Sequence, residues 1–262
     1  MNEDYSFIIE NFEWSFSRIN SFSTCPYGWL KQYVLNEERE SGYYGEYGSY
    51  IHKILEMYFK GELEIYELAS YYEEHYYENV VSLPPPKPID LAERYYEEGK
   101  AFLENFDFPH DKYEILGVEK EVKFNIDGFN FLGYIDLLLK DKTNNEVIIV
   151  DYKSSDPYKK GKTPDKGKIE EYKKQQYLYA YGIHNEFGFY PSKLVLWFFR
   201  LDKQYKIEFN EEECKKSTEW AINEINKIMK ETEFKPLSSY WYCSYLCSVR
   251  NSCEFKVTNK GQ

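Results

Sequence analysis

Between residues 113 and 153 apolar and polar side chains alternate, then merge into short unbroken apolar runs. YEILGVEKEVKFNI, from 113, reads as a strand pair or one long strand, and DG at 127–128 marks a turn. FNFLGYIDLLLK and EVIIVDYK follow as strands joined at DKTNN. On either side the apolar spacing lengthens to that of helices. Residues 21–35 predict a cap and a short helix, and 48–60 a helix with Ile51, Leu55 and Tyr58 on one face. Two acidic, tyrosine-rich helical stretches are expected near 64–80 and 89–106, parted by SLPPPKP (82–88), whose prolines exclude a helix interior. A polar Lys- and Gly-rich loop occupies 154–168 and a helix 169–185. KLVLWFFRL and QYKIEF predict a hairpin, followed by a helix over 211–231. No internal repeat is visible. The pattern implies an α/β protein with a central β-sheet flanked by helices and a helical insertion at about 61–110.

Length and composition narrow this picture. At 262 residues the chain suits one domain, spanning 1–262. No run approaches the roughly 18 apolar residues of a membrane span, and the acidic start MNEDYSFIIENFEW lacks a signal-peptide pattern. A soluble, cytoplasmic protein is expected. The net charge of −12 argues against a general nucleic-acid coat but leaves room for a small basic groove. The 28 tyrosines and 18 phenylalanines read as core and rim aromatics before stacking surfaces.

Asp136 and Asp151 carry the candidate chemistry. With the DKTNN loop centred at Thr143, they lie seven residues before it and eight after, opposite or nearly opposite in an antiparallel pair. Alternation places Asp151 and Lys153 on one face and Tyr152 on the other. Paired carboxylates repel unless a cation lies between them, and oxygen ligands suit Mg²⁺ or Mn²⁺. Lys153 could then orient a water or stabilise charge on a phosphorane. Taken singly, each charge would read as a solvated strand end.

Gly-Tyr-Ile-Asp136 followed by Ile-Val-Asp151-Tyr152-Lys153 resembles the core of the PD-(D/E)XK nuclease superfamily. More narrowly it resembles RecB/AddB-type nucleases and their CRISPR-associated exonuclease relatives. The resemblance spans about 20–255 and implies a restriction-endonuclease-like core with a mixed sheet. It implies that Asp136 and Asp151 bind the metal with the carbonyl of Tyr152, while Lys153 positions the attacking water. Gly48-Ser-Tyr-Ile-His52 resembles the subgroup's G-x-x-x-H helix, whose histidine is a metal ligand. Read alone, His52 would be an ordinary helix-face histidine. Gln175-x-x-x-Tyr179 resembles the Q-x-x-x-Y helix after the active site, with Gln176 an alternative register; its i, i+4 spacing puts both on one face, within reach of a phosphate or the lysine. Glu119 matches an acidic position on the first core strand of many members.

Five cysteines, at 25, 214, 243, 247 and 253, are an odd count without a signal peptide, which disfavours a disulfide framework. Three crowd the stretch YCSYLCSVRNSC, which points to metal or cluster ligation. In the resembling subgroup one N-terminal and three C-terminal cysteines hold a structural 4Fe–4S cluster that clamps the chain ends. That implies Cys25, Cys243, Cys247 and Cys253 as ligands, joining about 20–35 to 236–256. The tail here is C-x3-C-x5-C, one residue longer than the subgroup's C-x2-C-x5-C. Four-thiolate zinc and four unrelated buried thiols stay open as alternatives. Cys214, at an acidic helix start, is expected to be no ligand.

The expectation is a metal-dependent deoxyribonuclease, acting as an exonuclease on single-stranded DNA or duplex ends, in CRISPR adaptation or in phage or host recombination and repair. KKGKTPDKGK (159–168), with Lys173 and Lys174, is the expected DNA path. A nuclease-like subunit that binds a protein partner or a DNA end without cutting is the second reading.

Overall fold

The computed structural model describes residues 5–158, 163–237 and 239–257. The N-terminal segment forms α1 (Ser6–Glu10), α2 (Phe16–Thr24) and α3 (Pro26–Trp29), the last running into a π-turn at Leu30–Val34. Next come α4 (Tyr43–Phe59), α5 (Leu68–Asn79) and α6 (Leu91–Glu104). The alternating stretch from 113 is one strand, β1 (Tyr113–Ile126), which turns at Asp127–Gly128 into β2 (Phe129–Asp141). β3 (Val147–Lys153), α7 (Lys166–Phe187), β4 (Lys193–Phe198), β5 (Lys203–Glu208), α8 (Glu211–Lys230) and α9 (Tyr240–Tyr245) complete the order.

The five strands lie in sequence order, all neighbours antiparallel except β3 and β4. A parallel pair needs a long crossover, and α7 supplies it. The architecture is the expected α/β class: a mixed sheet flanked by helices, consistent with a restriction-endonuclease-like fold. Helix starts are fixed by side-chain caps: Ser15, Asp90, Asp165, Asn210 and Ser239 each accept the backbone N–H three residues on. Gly188 ends α7 at φ 79°, the left-handed conformation glycine adopts without strain.

β3 is apolar on both faces because both faces are covered. On one side Ile149, Leu194, Leu196 and Ile135 pack with residues of α7 and α8. On the other, Val150, Tyr152, Val195 and Trp197 pack with α4, α5 and α6. Much of the tyrosine excess sits in this second core, where Tyr47, Tyr50 and Tyr72 are fully buried and Tyr50 stacks on Tyr72 with centroids 5.5 Å apart. The expected insertion is thus part of the sheet's cover.

Three elements differ from expectation. α4 begins at Tyr43, because Tyr43 and Tyr47 extend its buried face by a further turn. α1 is too short for a periodic signal. Trp14 forms a parallel bridge to Phe131 of β2, an isolated pairing that no local pattern announces.

The chain ends meet. Ser248 Oγ and Gln32 Oε1 are 3.0 Å apart, Lys31 reaches Glu254 at 3.4 Å, and Arg250 pairs with Glu40 at 3.3 Å.

Candidate active site

The β2–β3 ladder ends at Leu137–Val150, so Asp136 and Asp151 are the next positions in register. Instead of a main-chain rung, Asp136 Oδ2 accepts the Tyr152 N–H at 2.6 Å. On the other side of β2, Asp136 stands opposite Glu119, between the pairs Val118–Leu137 and Lys120–Ile135. Glu119 has φ 48°, a conformation strained for a side chain within a strand. α4 lays His52 over this strand end. Its Nδ1 is 3.6 Å from Asp136 Oδ2, and its Nε2 is 3.1 Å from the carbonyl of Tyr152.

His52, Glu119 and Asp136 each offer one donor atom, and the three atoms lie within 4.8 Å of one another. One imidazole nitrogen and two carboxylate oxygens form a donor set that suits a divalent ion. Burial, then the nearby Asp151, pushes the Asp136 carboxyl up to about 8. Burial, then Asp136, raises Glu119 to about 7. Burial pulls His52 below its usual value. Each shift favours the form that carries no charge, so a bound cation would relieve a repulsion already built into the site.

Asp151 lies beside Lys153. Its carboxylate is in ion-pair contact with Lys153 Nζ at 2.6 Å, inside the core. Lys153 also donates to Gln175 Oε1 at 2.9 Å, and Gln175 Nε2 donates to the Tyr179 hydroxyl at 2.8 Å. The Lys153 ammonium lies 4.7 Å from the ring centre of Tyr172. Burial works against the charge on Lys153, but Asp151 and Asp136 outweigh it and raise its pKa. The amine is therefore a fixed ammonium held by Asp151 on β3 and by Gln175 and Tyr172 on α7. Tyr152 points to the opposite face, as strand alternation requires.

The register Gln175–Tyr179 is the one that meets Lys153. Gln176 is buried in the core, and its amide has no hydrogen-bond partner among the described residues. Asp136 converges with His52 and Glu119, and Asp151 is paired with Lys153. The Tyr152 carbonyl, expected as a ligand, lies 3.1 Å from His52 Nε2. Glu119, at a positive φ in β1, brings its carboxylate beside His52 and Asp136.

The expected DNA path is described only in part. Residues 159–162 lie outside the described residues. Lys168 pairs with Glu171 at 3.1 Å and Lys173 with Glu170 at 2.8 Å, while Lys174 lies over Trp220. An open cleft of about 510 Å³ leads instead to the candidate donors, lined by Ser49, His52, Lys53, Glu119, Lys153 and Tyr172 among others. Ser49, Lys53 and Tyr172 carry no motif, and sequence reading missed them.

The sequence profile of the PD-(D/E)XK nuclease superfamily matches residues 13–254. The chain belongs to that superfamily. This PD-(D/E)XK nuclease fold is also similar to a solved structure from Eubacterium rectale, a protein provisionally described as an exonuclease. The TM-score is 0.51 at 9% identity, over 88% of this chain and 85% of that one. A second solved structure, of the protein SSO0001, aligns at 19% identity over 80% of this chain and 97% of that one, but its TM-score of 0.32 carries no argument. No curated protein matches the sequence. Nucleases of this superfamily use divalent metals, and among the described residues no helix is long and apolar enough to cross a membrane.

Four thiols come together at the chain ends. A methyl group on Gly28 would sit 3.5 Å from Cys25 Sγ and 4.0 Å from Cys247 Sγ. Cys253 is raised by burial, then by Glu254, with smaller contributions from Cys25 and Cys243. Cys214 stands apart on α8, buried and raised to about 12, with its thiol against the Tyr177 carbonyl at 3.5 Å.

Proposed function

We propose that this chain is a metal-dependent deoxyribonuclease, acting as an exonuclease on single-stranded DNA or duplex ends. The observation that carries the reading is the convergence of His52, Glu119 and Asp136 beside the fixed ammonium of Lys153. Those three residues would hold Mg²⁺ or Mn²⁺. The cation's contribution is to draw charge from the scissile phosphate and to acidify a water. Asp136 also keeps β2 and β3 in place through the Tyr152 N–H. Lys153, braced by Asp151 and Gln175, presents a positive charge to the cleft where the attacking water and the developing phosphorane charge meet. Water oxygen bonds to phosphorus and loses a proton; the phosphorus–oxygen bond to the leaving nucleotide breaks and that oxygen gains one. No enzyme atom is bonded to the substrate in this scheme.

At the chain ends, the reading is a structural 4Fe–4S cluster on Cys25, Cys243, Cys247 and Cys253, as in the RecB/AddB-type and CRISPR-associated nucleases that the motifs resemble. Four thiolates suit such a cluster. Among the described residues the one group of three donors found within 4.8 Å is His52, Glu119 and Asp136. Trimming of this kind would serve CRISPR adaptation or recombination and repair.

The deciding experiment is degradation of end-labelled single-stranded DNA with Mn²⁺, Mg²⁺ or EDTA. Cleavage that needs the cation and is lost in both Asp136→Asn and Lys153→Ala supports the proposal. Wild-type protein that leaves DNA intact with every divalent cation rejects it.

A further inference from the structure

The cleft holds polar groups that the scheme above does not use. Four charged residues line it: Lys53, Glu56, Glu119 and Lys153. Glu56 is paired with Lys60, Lys153 with Asp151, and Glu119 belongs to the candidate donor set. Lys53 has no ion-pair partner among the described residues. It is an exposed cation on a chain of net charge −12, and it stands at the mouth of the cleft.

Two hydroxyls accompany it. Ser49 lies one helical turn before Lys53 on α4, so the two share a face. Ser154 follows the catalytic-strand lysine and lines the facing wall. Neither hydroxyl has a hydrogen-bond partner among the described residues, whereas Ser155 on the same wall is bonded to the Tyr172 hydroxyl at 2.8 Å. Gly48 keeps the gap between them open, since a Cβ there would sit 3.3 Å from Ser154 Oγ. An unpaired ammonium and two unengaged hydroxyls on opposite walls are the donors that a phosphate diester needs.

We propose that Ser49, Lys53 and Ser154 form a subsite for a backbone phosphate next to the scissile one. It sets how the DNA strand lies across His52 and Lys153. This rests on the nuclease reading and deepens it. The subsite recognises backbone and not base, so it is indifferent to sequence. It adds a substrate contact on α4.

The test is equilibrium binding of a fluorescent single-stranded oligonucleotide in Ca²⁺, across a series of salt concentrations. Lys53→Ala should weaken binding about tenfold. It should also lower the slope of log K against log salt by about 0.7, the share of one phosphate on a single strand. Lys53→Arg should restore both, and Ser49→Ala with Ser154→Ala should weaken binding without changing the slope. Lys215→Ala, on the exposed side of α8, serves as the control for a lysine outside the cleft. Affinity and slope unchanged in Lys53→Ala overturn the subsite, even if the wild type cuts DNA. Wild type that binds and responds as stated but never cuts supports the subsite and counts against the hydrolytic reading. Wild type that binds no oligonucleotide overturns both.

Discussion

Arg200 grips Glu98, with its Nε 2.7 Å from the carboxylate and a second guanidinium nitrogen on the same oxygen. The pair joins the end of β4 to α6. The guanidinium also stacks on Tyr95 at 3.5 Å and donates to the Ser154 carbonyl at 3.3 Å, one residue past Lys153. The Arg200 side chain is only 5% exposed, so removing its partner strands a charge. Glu98→Ala should cost about 3 kcal/mol, the lower end for a buried pair that loses one member. For a chain of this size that is roughly 6–12 °C in melting temperature, read by calorimetry. A shift under about 2 °C would show that solvent already screens the pair.

Lys153 and Gln175 should fall in a fixed order. Lys153→Ala removes the charge facing the reacting phosphate and should lower kcat by about 10²–10³-fold. Gln175→Ala leaves the charge and loosens its aim, with a loss nearer tenfold. KM for DNA should stay close to wild type in both. Single-turnover kinetics separate the cases; a Gln175→Ala loss equal to that of Lys153→Ala would mean that the amide itself meets the substrate.

Asp136, at about 8, and Glu119, at about 7, bind protons more tightly folded than unfolded. Without metal, the stability they contribute is complete near pH 4 and is lost as pH rises toward 8. A divalent ion must displace those protons to bind. Stabilisation by a fixed Mn²⁺ concentration should therefore grow from pH 5.5 to pH 8, and Asp136→Asn should abolish most of the growth. Melting curves with and without Mn²⁺ measure it; a stabilisation independent of pH would place the ion elsewhere.

Protein purified without oxygen should show a broad iron–sulfur band near 400 nm, with iron in excess of zinc. Single Ser substitutions at Cys25, Cys243, Cys247 or Cys253 should bleach it, while Cys214→Ala should keep it. A colourless sample carrying one zinc per chain would favour the four-thiolate zinc alternative.

Much of this site was legible from period-two alternation. The spacing about Thr143 put Asp136 and Asp151 in register, and alternation put Lys153 beside Asp151 and turned Tyr152 away. What alternation hides is direction at a strand irregularity. Glu119 enters through a left-handed backbone angle in the middle of β1, where a strand pattern assumes none. It was equally silent on which carboxylate Lys153 would claim, because that depends on the depth of burial at the end of β3. Arg200 and Glu98 are 102 residues apart, and neither belongs to a local motif. Charge density along the lysine-rich loop does not show which lysines a helix pairs with glutamates three residues away, as Lys168 is with Glu171.

The Tyr152 N–H bond to Asp136 has a practical corollary for anyone who probes this centre by substitution. That carboxylate stands in for a missing peptide carbonyl, splicing two strands where their ladder parts. Truncation to alanine would unstitch the seam and shift Lys153 along with it, so a dead enzyme would say little about electrophilic catalysis. Asparagine keeps an acceptor oxygen in the same place and removes only the capacity to ionise when a cation binds, which makes it the informative replacement.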